Sequence, residues 1–350
     1  MTSPHLWVRA EQRDNEARVG LMPEGAAQLV KDGFTVTVEM SENRVVPIAP
    51  YAEAGCKIAP MASWVDAPDN AIIFGLKELP EDGSPLRHRH IMFGHAYKGQ
   101  SAGRILLDRF VAGGGTLLDL EYLVDDARRR VAAFGYWAGF AGAAVSLKCW
   151  AAQQRGEICG PVSPYENADV MKTELLTELN AVSDLRPSAL IIGALGRVGT
   201  GARDLSEAMG VTVTGWDMAE TAHGGPFPEI LQHDLFLNCI LAGADTPAFV
   251  RPDAPEAVRN LTVIGDIACD PDGDYNPVQV YDRATTWSEP ALRVHDAPPL
   301  DVMAIDNLPS MLPLESSQDY ASQLLPTLRG LAGDPNGVWT RVTATFDAQK

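Results

Sequence analysis

Apolar positions along this chain alternate between two periods. Leu6-Trp-Val-Arg-Ala-Glu11, Phe34-Thr-Val-Thr-Val-Glu39, Ala71-Ile-Ile-Phe-Gly-Leu-Lys77, His90-Ile-Met-Phe-Gly-His95 and Thr116-Leu-Leu-Asp-Leu-Glu121-Tyr-Leu123 are short, β-prone runs that read as strands. Between them, Pro23 to Lys31 and Ser101 to Val111 have helical spacing, and Gly113-Gly-Gly115 reads as a turn. Strands alternating with helices predict an α/β fold. Several of these strands pass from apolar to ionisable residues at their C-terminal ends, the edge where open α/β sheets bind ligands.

The rhythm changes at Val131 to Ala152, which is rich in alanine, glycine and aromatics; a helix buried between two domains is expected there, and the first domain boundary with it. Gln153 to Arg186 is polar, with a helix at Ala168 to Val182. A second α/β series follows, with strands at Ser188 to Ile192, Val211 to Asp217, Asp234 to Leu241, Asn260 to Asp266 and Val302 to Asp306. Asp270 to Pro299 reads as loops with a short strand at Val278 to Tyr281, and Ser316 to Gly330 as a helix. The apolar Gly337-Val-Trp-Thr-Arg-Val342 is expected to return to the first domain. Domains at 1–133 with 310–350, and at 134–309, follow from this reading.

The most informative stretch is Gly193-Ala-Leu-Gly196-Arg-Val-Gly199 between the strand ending at Ile192 and a helix whose stripe is Val198, Ala202, Leu205 and Met209, stopped by Gly210. Glycines at a strand-to-helix turn allow positive φ and let a pyrophosphate approach backbone N–H groups at the positive end of a helix. Asp217, closing the next strand, is placed to accept hydrogen bonds from a ribose diol and to repel a 2′-phosphate, which favours NAD over NADP. The Gly-x-x-Gly-x-x-Gly spacing departs from Gly-x-Gly-x-x-Gly and also suits an ordinary tight turn, so the assignment rests on strand, helix and acid together.

With 350 residues, 46% of them hydrophobic and 21% charged, the chain has the length of two globular domains. A formal charge of −18 disfavours nucleic acid and anionic membranes as partners, and any anionic ligand then needs a local basic pocket. No apolar run is long enough to cross a bilayer, the N-terminus lacks a signal-peptide layout, and the five scattered cysteines suit a reducing compartment; a cytoplasmic location is expected.

Lys77 follows an apolar run, so desolvation would lower its pKa towards that of a general base, while Glu121 would favour its charged form; the alternative is an exposed strand cap. His95 is a second candidate acid–base group, or a packed ring. His88 and His90 lie in Arg87-His-Arg-His90, read as a solvated loop, and no metal site is expected. Arg129 and Arg130 form either a solvated charge run or planar forks for carboxylate and phosphate.

Arg9-Ala-Glu11 with Glu16-Ala-Arg18, Gly75-Leu-Lys77-Glu78, His95-Ala-Tyr-Lys98, Asp119-Leu-Glu121, Arg129-Arg-Val-Ala-Ala-Phe134-Gly, Ile192-Gly-Ala-Leu-Gly-Arg197, Gly224-Gly-Pro-Phe227 and Ile305-Asp-Asn-Leu-Pro-Ser310 together make a chain-long pattern. In it the sequence resembles the NAD-dependent, lysine-forming saccharopine dehydrogenases, whose wider relatives are alanine dehydrogenase and the transhydrogenase NAD subunit. The resemblance implies two Rossmann-like domains with a cleft between them, the NAD domain inserted in the chain of the first. It implies oxidation of saccharopine by NAD+ to an imine, then hydrolysis to L-lysine and 2-oxoglutarate. It assigns Lys77 as base, His95 to imine hydrolysis, Glu121 to tuning Lys77, and Arg18, Lys98, Arg130 and Phe134 to substrate. To NAD it assigns Gly196, Arg197, Asp217, Thr221, Ile267, Asp306, Leu308 and Arg129. A monomer is expected, with a weak homodimer as the alternative state. Val198 replaces a cysteine that in some relatives pairs with the position of Cys239, so that disulfide is not expected; Asn307 and Leu314 replace a histidine and an arginine, which bears on substrate orientation. The rival readings are another amino-acid or opine-type dehydrogenase of this fold, such as alanine dehydrogenase, and a non-catalytic NAD-binding protein.

Overall fold

The computed structural model describes residues 3–13, 15–97 and 101–350. The chain divides into two units, Met1–Ala133 with Pro313–Lys350, and Phe134–Leu312. In the first unit, β1 (His5–Val8), β2 (Thr35–Glu39), β3 (Lys57–Ala59), β4 (Ala71–Phe74), β5 (Arg89–Met92) and β6 (Thr116–Asp119) form one sheet in the order β3-β2-β1-β4-β5-β6. Every neighbouring pair is parallel. The helices among these strands are α1 (Pro23–Lys31), α2 (Ala49–Glu53) and α3 (Ser101–Gly113). A parallel strand covered on both faces must be apolar throughout, and Ala71-Ile-Ile-Phe74 is buried at every position. Strand order reverses about β1 and β4, which makes their C-terminal ends a topological switch point.

The second unit contains α4 (Gly135–Gln154), α5 (Ala168–Val182), β7 (Ser188–Ile192), α6 (Arg197–Ala208), β8 (Thr212–Trp216), α7 (Met218–Thr221), β9 (Leu235–Asn238), β10 (Val263–Asp266), β11 (Leu292–His295) and β12 (Leu300–Met303). Its sheet runs β11-β12-β10-β9-β7-β8, parallel except for β11, which lies antiparallel to β12. The chain then adds α8 (Pro313–Arg329) and α9 (Val338–Gln349) to the first unit. The segment expected to return there is this last helix, which packs on β6 with Trp339, Val342 and Phe346 buried.

Helix α4 has no polar face in its middle, every residue from Gly139 to Leu147 being buried, as a core helix requires. Its glycines serve a close crossing with α6 of the same unit. A Cβ on Gly139 would stand 1.8 Å from the Val198 carbonyl oxygen, and one on Gly201 would stand 1.9 Å from that of Tyr136. The small residues read as an interdomain spacer are therefore accounted for inside the second unit.

Four local expectations are corrected. Arg87-His-Arg-His90 is no solvated loop: from Leu86 to His90 burial alternates, with His88 and His90 at 2% and 1% exposure. His90 stands edge-on to Trp64 and Phe110, and His88 Nε2 lies 3.1 Å from the Ala67 carbonyl. The run through Leu123 ends as a strand at Asp119, where a 3-10 turn, Leu120–Tyr122, begins. Val278 makes only an isolated bridge to Val250. The Asp- and Pro-rich stretch nonetheless holds β11, a half-buried edge strand tied down by the Arg293–Asp301 ion pair. Among the described residues no helix is long and apolar enough to cross a membrane, and no three His, Cys, Asp or Glu side chains are grouped as a metal site.

Candidate active site

In a parallel sheet all C-terminal strand ends share one edge, so four adjacent strands of the first unit deliver ionisable residues together. β1 leads to Arg9 and Glu11, β4 to Lys77, β5 to His95, and β6 to Asp119 and Glu121. His95 Nδ1 lies 3.7 Å from Glu121 Oε2, with the imidazole half-exposed. The His95 backbone has φ +48°, a left-handed conformation that a non-glycine residue adopts only when its surroundings hold it.

Lys77 is held through its backbone. Its N–H donates to Glu11 Oε2 at 2.9 Å, the Leu76 N–H donates to Glu11 Oε1 at 2.6 Å, and its carbonyl accepts from Arg9. Arg9 crosses directly over Gly75, where a Cβ would meet the guanidinium Nε at 2.4 Å. Glu11 was not among the expected site residues, although the rule that picked Lys77 and His95, an acid or base just past an apolar strand, applies to it equally.

Arg18 is buried and its guanidinium already grips a carboxylate, Nε and Nη2 donating to Glu16 at 2.8 and 2.6 Å. Burial alone would raise the Glu16 pKa; hydrogen bonds from Arg18 and the nearby charges of Arg18 and Lys77 outweigh it and hold the group below its ordinary value. Arg18 and Lys77 are thereby brought to one carboxylate. Arg130 is exposed beside the Val124 bridge, and Arg129 is exposed and ion-paired with Asp125 at 2.9 Å. Phe134, half-buried, precedes α4 in the second unit. Lys98 lies outside the described residues.

The glycine turn of the second unit has the backbone its sequence called for. Gly193 has φ +86°, and a Cβ on Gly199 would stand 2.1 Å from the Gly193 carbonyl oxygen, so the loop folds against the first turn of α6. Gly196 is the residue before that helix and Arg197 its first residue, both exposed. Asp217 ties the two strand ends together: its Oδ2 accepts the Leu195 N–H at 3.0 Å and its Oδ1 the Met218 N–H at 2.9 Å. Glu220 completes a capping box on the short α7, and the Thr221 hydroxyl donates to the Asp217 carbonyl at 3.0 Å.

A cavity of about 450 Å³ opens beside these residues, lined by Gly193, Asp217, Thr221, Ile240 and Phe249 among others. A carboxylate with spare lone pairs at the rim of an apolar cavity, next to a glycine turn free of Cβ atoms, fits an adenosine whose diphosphate crosses the turn. Ile267 and Leu308 are buried against α4 at Gly142, where a Cβ would meet Ile267 Cγ1 at 2.6 Å and Leu308 Cδ1 at 3.1 Å. Asp306 is exposed past the end of β12. Next to Ile267, the buried Asp266 accepts from Tyr281 at 2.8 Å and Asn238 at 3.0 Å, yet burial still pushes its pKa up.

A parallel sheet ending in ionisable side chains and a largely parallel one ending in a glycine turn with its acid are the features of a two-domain nucleotide-dependent dehydrogenase class. Residues 7–141 match the family described as "Alanine dehydrogenase/PNT, N-terminal domain". A solved L-alanine dehydrogenase is similar over 99% of this chain and 93% of its own, with a TM-score of 0.67 at 19% identity, which shows the shared fold. Closer in sequence is the saccharopine dehydrogenase (NAD(+), L-lysine-forming) of Yarrowia lipolytica, 44% identical over 99% of this chain and 98% of the relative. That of Candida albicans is 42% identical over 98% and 96%. The chain belongs to the family of NAD-dependent, L-lysine-forming saccharopine dehydrogenases.

Proposed function

We propose that this chain catalyses the reversible oxidative cleavage of saccharopine, with NAD+ and water, to L-lysine, 2-oxoglutarate, NADH and a proton. The observation that carries the reading is the 44% identity along nearly the whole chain, and the acid–base residues on adjacent strand ends agree with it. NAD+, when bound, accepts hydride from the carbon that bears the secondary amine. Lys77 takes the proton from that amine, its position fixed by the Glu11 and Arg9 contacts to its backbone. His95 moves protons as water adds to the imine and the carbinolamine collapses, its ring nitrogens able both to donate and to accept. Glu121, assigned to tuning Lys77, also faces His95 at 3.7 Å and steadies an imidazolium there.

In this reading Arg18, Lys98, Arg130 and Phe134 orient the substrate. Gly196, Arg197, Asp217, Thr221, Ile267, Asp306, Leu308 and Arg129 hold NAD. The second unit is the NAD domain, inserted in the chain of the first. A cytoplasmic location goes with it, supported by five unpaired cysteines, as does a monomer with weak homodimerisation as the alternative.

The test is NADH oxidation with lysine plus 2-oxoglutarate, set beside pyruvate plus ammonia. Turnover with the first pair is expected, and turnover with the second alone would falsify the reading. K77M and H95Q should each lower kcat by about 10²-fold or more while NADH still binds. A non-catalytic NAD-binding protein would give no turnover in any form.

A further inference from the structure

Asp119 was not assigned a role, yet it stands where the two strand ends bearing His95 and Glu121 meet. It is fully buried and lies beside Met92 in the β5–β6 register, so its carboxyl sits below the Phe93-Gly-His95 turn. One oxygen, Oδ1, accepts the Glu121 N–H at 2.9 Å and so begins the turn that presents the Glu121 side chain. The other, Oδ2, faces the Gly94 backbone, where even a Cβ would stand only 3.1 Å away and would meet Leu117 Cδ2 at 2.6 Å. The carboxyl thus holds the Glu121 backbone through Oδ1, and its buried Oδ2, with no hydrogen-bond partner among the described residues, lies against the residue preceding the strained His95.

We propose, resting on the functional reading above, that Asp119 is a positioning residue for the reaction, its buried carboxyl fixing the His95 turn and Glu121 relative to each other. It touches no substrate. The titratable groups facing it are Glu121 on its own turn, His95 and Tyr97 after β5, Tyr122, and Tyr320 from α8. Burial is the main cause that pushes its own pKa to about 6; the Glu121 amide opposes this, the Glu121 charge adds to it, and His95 and the Gly94 amide oppose it. The site therefore gains a charge as pH rises through about 6, and that charge bears on the imidazole.

The test compares D119A and D119N in the full chain, measuring kcat, KM, NADH affinity and the pH profile. D119A, which removes the acceptor, is expected to lower kcat about 10- to 100-fold with NADH affinity within twofold of wild type. D119N keeps the Oδ1 acceptor; it should recover kcat to within about fivefold and lose the component of the acid limb near pH 6. The proposal is overturned if D119A keeps kcat within threefold, if NADH affinity falls in step with kcat, or if D119N is as impaired as D119A. If D119A does not fold, D119N alone decides, because an acid limb unchanged from wild type overturns it. Wild type that fails to turn over lysine and 2-oxoglutarate defeats the functional reading instead.

Discussion

At the scale of single residues, His90 shows how burial converts into pH dependence. Neither ring nitrogen has a hydrogen-bond partner among the described residues, and burial, aided by the charges of Arg9, His88 and Arg109, holds its pKa well below the ordinary histidine value. The folded ring stays neutral while the unfolded one takes a proton below about pH 6.5, so stability is lost as pH falls through that value. The slope approaches about 1.4 kcal/mol per pH unit. Asp119 acts the other way, since its raised pKa makes the folded form the better proton acceptor as pH falls through about 6. Absolute stability therefore changes less than either group implies, and the informative quantity is a difference. Urea unfolding of wild type and H90F at pH 7, 6 and 5 should show the variant gaining on wild type at each step down. A constant difference across that range would remove His90 as the cause. The histidine was misread because two arginines flank it. Arg87 and Arg89 are exposed while Leu86, His88 and His90 are buried, so the period-two signal of a strand was present under a polar composition.

At the scale of elements, the β7–turn–α6–β8 unit was legible because three independent signals coincide: an apolar run, glycines at the turn, of which Gly193 is left-handed, and an acid at the following strand end. The α4–α6 crossing was legible only as composition. Alanine and glycine announce a close approach without naming the partner, which required the fold to place Gly139 and Gly201 against backbone carbonyls. β11 was hidden because edge strands need only half a buried face, and β3 because three residues carry no period. Of the candidate site, Lys77, His95 and Glu11 are all readable as strand-end ionisable groups, whereas the hydrogen bonds by which Glu11 and Asp119 hold backbone N–H groups are displayed by no sequence pattern. The crossing gives a sharp prediction. In G201A the added methyl would overlap the Tyr136 carbonyl oxygen, so helices rather than side chains must move. Overpacking costs about 1 to 3 kcal/mol, the upper end being expected where backbone must move, and NADH affinity should fall with it because α6 begins at the glycine turn. G160A, where a Cβ meets nothing within 4 Å, is the control, expected within about 0.5 kcal/mol of wild type. Equal urea midpoints for the two variants would show that the crossing has slack.

At the scale of the whole molecule, a formal charge of −18 acts on a reaction that handles ions of both signs. Lysine arrives as a net cation and 2-oxoglutarate as a dianion, so the same field attracts one and repels the other. Local cations could reverse this for the dianion, but two of those near the strand ends already face carboxylates: Arg18 grips Glu16, and Arg9 pairs with Glu11 at 3.3 Å. The distant charges are then what added salt screens most, because the Debye length is about 10 Å at 0.1 M while contacts at hydrogen-bond distance are screened little. Raising ionic strength from about 10 to 150 mM at saturating NADH should raise kcat/KM for 2-oxoglutarate and lower it for lysine, each by a factor of about 2 to 10. The opposed signs separate this from any general effect of salt on the enzyme, which would move both substrates together. A fall for both would remove the field of the whole chain as what governs the capture of 2-oxoglutarate.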